Sequence, residues 1–243
     1  MKNYALITTY YCLNCNIPSK EELKSRFNCD ANLEDIYINF SNEFDPWHRD
    51  NLNIGLSGRK DLVYGKIFLI KDFIEKNILT KYEYICHIDY NDTKFCRSFI
   101  EMMKDFVSTN EEFIISTEKN CWPYLEVVRN WVQTSLEEKE FNYINSGAII
   151  SKTEVFYNYL VNLIDLCLNS NIDFWDDQGV WQYYNLAIKE LNADKNCKYF
   201  FSTALLDESY YSIENNLIKT KFNTYPYLIH DNSSFSLNLI NKI

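Results

Sequence analysis

The sequence predicts an α/β fold, a mixed central β-sheet flanked by helices within one domain spanning residues 1–243. Three observations carry this. Strand-like and helix-like segments alternate through the first half, the last quarter is rich in short β-type runs, and no composition break calls for a second domain. With 47% hydrophobic and 16% aromatic residues, the chain can bury a substantial core. Its 24 basic residues against 34 acidic ones give a net charge of −10, which disfavours nucleic acid as a partner.

The elements follow in order. Residues 4–9 form an apolar, β-branched run that reads as a buried strand, and 35–40 alternate as a second strand. Residues 42–62 read as a long polar loop containing Trp47, Gly55 and Gly58; loops of this length are more often functional than connective. Ile67, Ile70, Ile74 and Ile78 recur at helical spacing, predicting a helix over 64–78. A strand is predicted over 82–88, a helix over 95–107, a strand over 112–116 and a helix over 124–136. Then come a short strand over 147–151 and helices over 154–168 and 176–191. The tail is predicted as strands at 198–202, 210–213, 218–222 and 227–229, separated by turns.

The five glycines fit neither G-x-G-x-x-G nor the P-loop pattern, so a nucleotide would need another counter-charge. Cys12 and Cys15 have the spacing of half a zinc or redox site, but no second C-x-x-C or H-x-x-x-H pairs with them. With no signal-peptide pattern or stretch long enough to span a bilayer, the thiols are expected to be reduced. The corresponding expectation is a cytoplasmic protein without a membrane span, in the host cytosol if its source is a virus.

Four clusters bear chemistry. Asp89 and Asp92 follow a strand directly, where open α/β sheets place ligands. They suit a hard divalent cation such as Mg²⁺ or Mn²⁺, or form an ordinary polar turn. Asp176-Asp177-Gln178 opens a helix, where acids cap and complement the dipole. Asn145-Ser146-Gly147 reads as a turn signal. His230 ends an apolar run, as Asp89 nearly does, so a parallel placement would bring the two together. His87, within the strand before Asp89, reads as a packing residue.

In order, the segments D-x-x-D at Asp89, Ser116-Thr117-Glu118-Lys119-Asn120-Cys121-Trp122-Pro123, Asn145-Ser146-Gly147, Asp176-Asp177-Gln178 and Pro226-Tyr227-Leu228-Ile229-His230 resemble the glycosyltransferase domain of the procollagen lysyl hydroxylases. Lys66 and Leu205-Leu206-Asp207-Glu208 extend the resemblance over most of the chain, most weakly between Cys12 and Asp45. It implies a GT-A fold, a UDP-sugar donor, Mn²⁺ (or Mg²⁺), and an acceptor hydroxyl on a glycan or a hydroxylysine-containing, collagen-like chain. By the same resemblance, Asp89, Asp92 and His230 would be the metal ligands. Thr9, Tyr10 and Tyr11 would line the uridine, with Trp47 stacking on the base. Lys66, Tyr90, Asn91, Gln178 and Asn232 would lie around the donor. Asp176, Asp177, Trp122 and Asn145 would serve the sugar and the acceptor. The family's H-G-N-G segment and following Lys are replaced by His230-Asp231-Asn232-Ser233-Ser234-Phe235-Ser236, and Asn91 stands where the family usually has an aromatic. Asp231 would repel a diphosphate unless its carboxylate is turned away. Two other readings are a GT-A transferase building a different glycan or polysaccharide, and a non-catalytic UDP-sugar-binding module.

Overall fold

The computed structural model describes residues 3–11, 16–41, 60–122, 140–170, 176–231 and 239. The first strand, β1 (Tyr4–Tyr11), is followed by α1 (Lys20–Phe27), β2 (Ile36–Ser41), α2 (Lys60–Asn77) and β3 (Tyr84–Asp89). Next come β4 (Thr93–Phe95), α3 (Phe99–Ser108), β5 (Phe113–Glu118) and β6 (Tyr143–Lys152). Two helices follow, α4 (Thr153–Asn169) and α5 (Asp177–Ala187), then β7 (Phe200–Ser202), β8 (Tyr211–Glu214), β9 (Leu217–Thr220) and β10 (Leu228–His230).

The main sheet has the order β2-β1-β3-β6-β5. Strands β2, β1 and β3 are parallel, β6 runs antiparallel to β3, and β5 antiparallel to β6, so the sheet is mixed as expected. A second sheet, β4-β10-β7, and the hairpin β8-β9 make up the rest.

Alternation along the strands divides the core. Ala5, Ile7, Ile85, Ile115 and Ile149 face one way, onto Ile67, Ile70 and Ile74 of α2, Phe156 and Leu160 of α4, and Trp181 of α5. Leu6, Cys86, Ile88, Ile114 and Ile150 face the other way, onto Leu23 and Phe27 of α1, Met102 and Phe106 of α3, and the second sheet. The α2 spacing legible in the sequence is thus the stripe that seals the first face.

Several expectations need correction. The segment 42–62 is not coil to its end, because α2 begins at Lys60. Asn145-Ser146-Gly147 is no turn but lies inside β6, whose pairing with β5 shifts register between Ile115 and Ser116. Residues 95–98 precede α3 rather than open it, since Thr93–Phe95 pair as β4 and Ser98 caps the helix by accepting from Glu101 N. Helix α1 was missed because it is polar and short, presenting only Leu23 and Phe27 to the core. Its start is nonetheless well specified by a capping box between Ser19 and Glu22. The segment 42–59, the Cys12/Cys15 pair and the helix expected over 124–136 lie outside the described residues.

Candidate active site

Asp89 is the last residue of β3, and the turn after it brings Asp92 alongside. His230 is the last residue of β10. One ligand atom from each of Asp89, Asp92 and His230 lies within 4.8 Å of the other two. The expected meeting of His230 and Asp89 therefore occurs, but not by parallel pairing. Their strands belong to different sheets, and β10 is held by β4 and β7.

The imidazole is oriented by its far side. His230 Nδ1 lies 2.9 Å from Asn145 Oδ1, which also accepts from Gly147 N at 2.9 Å. The Asn145 amide donates from Nδ2 to Glu118 Oε2 at 3.3 Å, so Oδ1 is the acceptor and Nδ1 carries the hydrogen. Nε2 then faces the carboxylates, 3.2 Å from Asp92 Oδ1 and 3.9 Å from Asp89 Oδ2. Among the described residues, neither His230 Nε2 nor Asp92 Oδ1 completes a well-aligned hydrogen bond, although both are buried. Burial favours neutral His230, but Asp92 and then Asp89 outweigh it and hold the imidazole above its ordinary pKa. Burial would raise Asp92, yet His230 holds it below the usual carboxylate range. Two hard oxygens and a correctly oriented imidazole, with two buried atoms lacking partners, form a donor set that fits a divalent cation.

Gly147 is what lets the ring sit there. A Cβ at this position would lie 2.1 Å from His230 Cε1 and 2.6 Å from Nδ1. The N-S-G signal therefore marks a close approach inside a strand, a use of glycine that local sequence cannot separate from a turn.

On the first face of the sheet, Lys66 of α2 is buried between two acids. Its Nζ donates to Asp177 Oδ2 at 2.9 Å and lies 3.7 Å from Asp89 Oδ1. Burial would lower its pKa, but Asp177 and Asp89 outweigh it and hold the ammonium above its ordinary value. Asp176 caps α5 by accepting from Gln178 N at 2.8 Å, as its helix-start position predicts. Desolvation and neighbouring Asp177 push the Asp176 carboxyl up to about 7. Gln178 donates to Glu118 and, at 2.5 Å, to the carbonyl of Trp122, which also accepts from Gln182 at 3.0 Å. Trp122 itself remains 46% exposed.

Other residues named from the sequence have distinct environments. The Thr9 hydroxyl does not face an open crevice. It is buried against His87 Nε2 at 2.7 Å, and burial drives His87 down to about 4, a neutral packing residue as expected. Tyr10 packs on Tyr90, with ring centroids 4.1 Å apart. Asn91 is exposed. Asp231 is turned away, its carboxylate accepting from the Thr203 hydroxyl and its N–H donating to Asp92 O at 2.7 Å. Trp47, Asn232 and the side chain of Tyr11 lie outside the described residues. Sequence reasoning missed Glu118 and Gln182 as site-building groups; the Glu of the Ser116–Glu118 segment, quoted for the resemblance, was the available signal.

The match of the PLOD GT domain over residues 19–243 makes this chain a glycosyltransferase domain, and its fold is of the GT-A type. The structure of mouse xyloside xylosyltransferase 1 in its apo form has the same fold, with a TM-score of 0.50 and 12% identity, covering 96% of this chain and 99% of that one. A glycosyltransferase involved in glycosylation of the major capsid of PBCV-1 aligns over 99% of this chain and 100% of that one, with a TM-score of 0.46 and 10% identity. The PLOD GT domain family matches residues 19–243, and the chain belongs to that family. An uncharacterized protein of Acanthamoeba polyphaga mimivirus, R699, is 22% identical over 127 residues, 52% of this chain but only 26% of that protein. Among the described residues, no helix is long and apolar enough to cross a membrane.

Proposed function

We propose that this chain, acting as one transferase domain over residues 1–243, moves a hexose from a UDP-sugar to a hydroxyl acceptor. The donor we infer is UDP-glucose, with UDP-galactose second, and the acceptor is galactosyl-hydroxylysine or hydroxylysine of a collagen-like protein. The observation that carries the donor half is the convergence of Asp89, Asp92 and His230, whose ligand atoms include two buried ones that complete no well-aligned hydrogen bond. Membership of the PLOD GT domain family supports the acceptor class.

Asp89, Asp92 and His230 would hold Mn²⁺ or Mg²⁺, which when bound supplies Lewis-acid neutralisation of the charge gathering on departing UDP. The chain's own residues do the rest. Asn145, fixed by Glu118, keeps His230 Nε2 aimed at the carboxylates. Lys66 holds Asp89 and Asp177 in place, ionic partner to both. The carboxylate of Asp231 is engaged by Thr203, which eases repulsion of a diphosphate despite the missing family Lys. The Asp176/Asp177 pair would hold sugar hydroxyls and the acceptor in attacking geometry, while Asn145, expected from the resemblance to do the same, is buried and engaged by His230, Gly147 and Glu118; the exposed Trp122 offers an apolar face to a sugar ring.

The test is UDP release from a panel of UDP-sugars, with and without Mn²⁺, and with and without galactosyl-hydroxylysine peptides. Metal-dependent turnover of UDP-glucose stimulated by the peptide is expected. Stimulation only by a non-collagen glycan would replace the acceptor, and no metal dependence with any donor would sink the metal assignment. Asp92→Ala should abolish metal-dependent UDP binding while the far-UV circular dichroism stays that of the wild type.

A further inference from the structure

The segment joining Asp89 to Asp92 has no secondary structure of its own, since residues 90–92 are bends between β3 and β4. Two carboxylates on such a loop keep one relative geometry only if its backbone is tied down. All four carbonyls of the loop accept a hydrogen bond. Thr93 Oγ1 donates to Asp89 O at 2.5 Å, and Asp231 N to Asp92 O at 2.7 Å. The two middle carbonyls are both taken by one side chain from α1. Arg26 Nε donates to Tyr90 O at 2.9 Å, and Arg26 Nη2 to Asn91 O at 2.8 Å. Its guanidinium carbon also lies 4.4 Å from the centroid of the Tyr90 ring, the ring that packs on Tyr10.

The base from which Arg26 reaches is fixed independently. Leu23 and Phe27 anchor α1 in the core. Asn28, in the left-handed conformation that ends the helix, donates from Nδ2 to Phe95 O at 3.1 Å. Asp30 accepts from Ser98 Oγ and, at 3.1 Å, from Ile100 N. The end of α1 is thus bound to the whole stretch that leads from the loop through β4 into α3.

We propose that Arg26 is the positioning residue of the Asp89–Asp92 loop. Its planar fork fixes the carbonyls of Tyr90 and Asn91, and so sets the spacing of the two carboxylates, without touching metal or donor. The geometry requires Arg rather than a positive charge. A Lys keeps the charge but cannot hold two adjacent carbonyls and cover the ring at once. This inference rests on the metal reading given above for Asp89, Asp92 and His230.

The experiment compares wild type, Arg26→Lys, Arg26→Gln and Asn28→Gly. Asn28→Gly removes a neighbouring tie from the same helix end while tolerating the left-handed backbone. Mn²⁺ affinity is read from the electron paramagnetic resonance of free Mn²⁺, with no sugar nucleotide present. Backbone ¹⁵N order parameters of residues 90 and 91 are measured on the metal-free protein. Both Arg26 variants should weaken Mn²⁺ binding by about tenfold or more, as loss of an outer-shell partner does. They should also drop the loop order parameters from about 0.85 toward 0.6. Asn28→Gly should leave the affinity unchanged. Wild-type affinity in Arg26→Lys overturns the proposal, because charge alone would then suffice. Equal weakening in Asn28→Gly also overturns it, because the role would then be general support of the fold. A wild-type chain that takes up no Mn²⁺ refutes the metal reading separately, and unchanged order parameters in both Arg26 variants then refute the positioning role as well.

Discussion

Gly147→Ala puts the tightest contact of the site to the test. The added methyl would lie 2.1 Å from His230 Cε1, 2.6 Å from Nδ1 and 2.8 Å from Nε2. Carbon atoms settle at about 3.5–4.0 Å, so the ring must retreat by roughly 1.4 Å. It has little room to do so, being 3% exposed and held at Nδ1 by Asn145. Overpacking of this kind costs about 1–3 kcal/mol. The assay is urea unfolding of four proteins: wild type, Gly147→Ala, His230→Ala and the double variant. Without the ring the three nearest contacts of the methyl vanish, so Gly147→Ala should cost much less in the His230→Ala background, where reduced freedom of the unfolded chain also favours it. The coupling should fall within the 0.5–3 kcal/mol of directly contacting residues. An equal cost of Gly147→Ala in both backgrounds would refute the reasoning.

Lys66→Met should destabilise the protein by about 3–5 kcal/mol in chemical denaturation, because Asp177 and Asp89 lose a buried counter-charge; a change below 1 kcal/mol would mean that the ammonium is not their main partner. Asn145→Ala should weaken Mn²⁺ binding measured calorimetrically by about 10–100-fold, since the His230 tautomer is no longer fixed, and unchanged affinity would show that the ring is oriented otherwise. Asp176 has its folded pKa raised to about 7, so the native state binds more protons than the unfolded state between pH 4 and 7. Its contribution is therefore fully present at low pH and is lost as pH rises through that window. Asp176→Asn, which keeps an equally good helix cap, should flatten the fall in melting temperature between pH 4 and 7, and an identical slope in the variant would count against the assignment.

The parts of the site that sequence made legible are those fixed by local pattern. Asp89 ends an apolar strand and Asp92 follows it, Asp176 caps a periodic helix, and His230 ends an apolar run, all close to where the pattern puts them. What pattern could not show depends on contacts distant in the chain. The glycine of Asn145-Ser146-Gly147 carries the signature of a turn, yet its reason is a ring 83 residues away in sequence, supplied by another sheet. Strand β4 has three residues and exists because β10 pairs with it, so periodicity had nothing to detect. Helix α1 buries two side chains, too few for an amphipathic stripe, and its capping box was the only readable signal. The order β2-β1-β3-β6-β5 likewise arises from long-range pairing, which short-range alternation does not encode.

The three candidate ligands come from two separately hydrogen-bonded sheets: Asp89 ends a strand of the larger one, and His230 ends a strand of the smaller one. A cation accepted there would cross-link the layers as a non-covalent staple. Loading would then be felt well beyond the three ligands. At a free metal concentration a hundred times the dissociation constant, the native state would gain about 2.7 kcal/mol. Chelation would withdraw that gain at the junction between the sheets, so the metal content of the solution would govern the durability of this enzyme as well as its turnover.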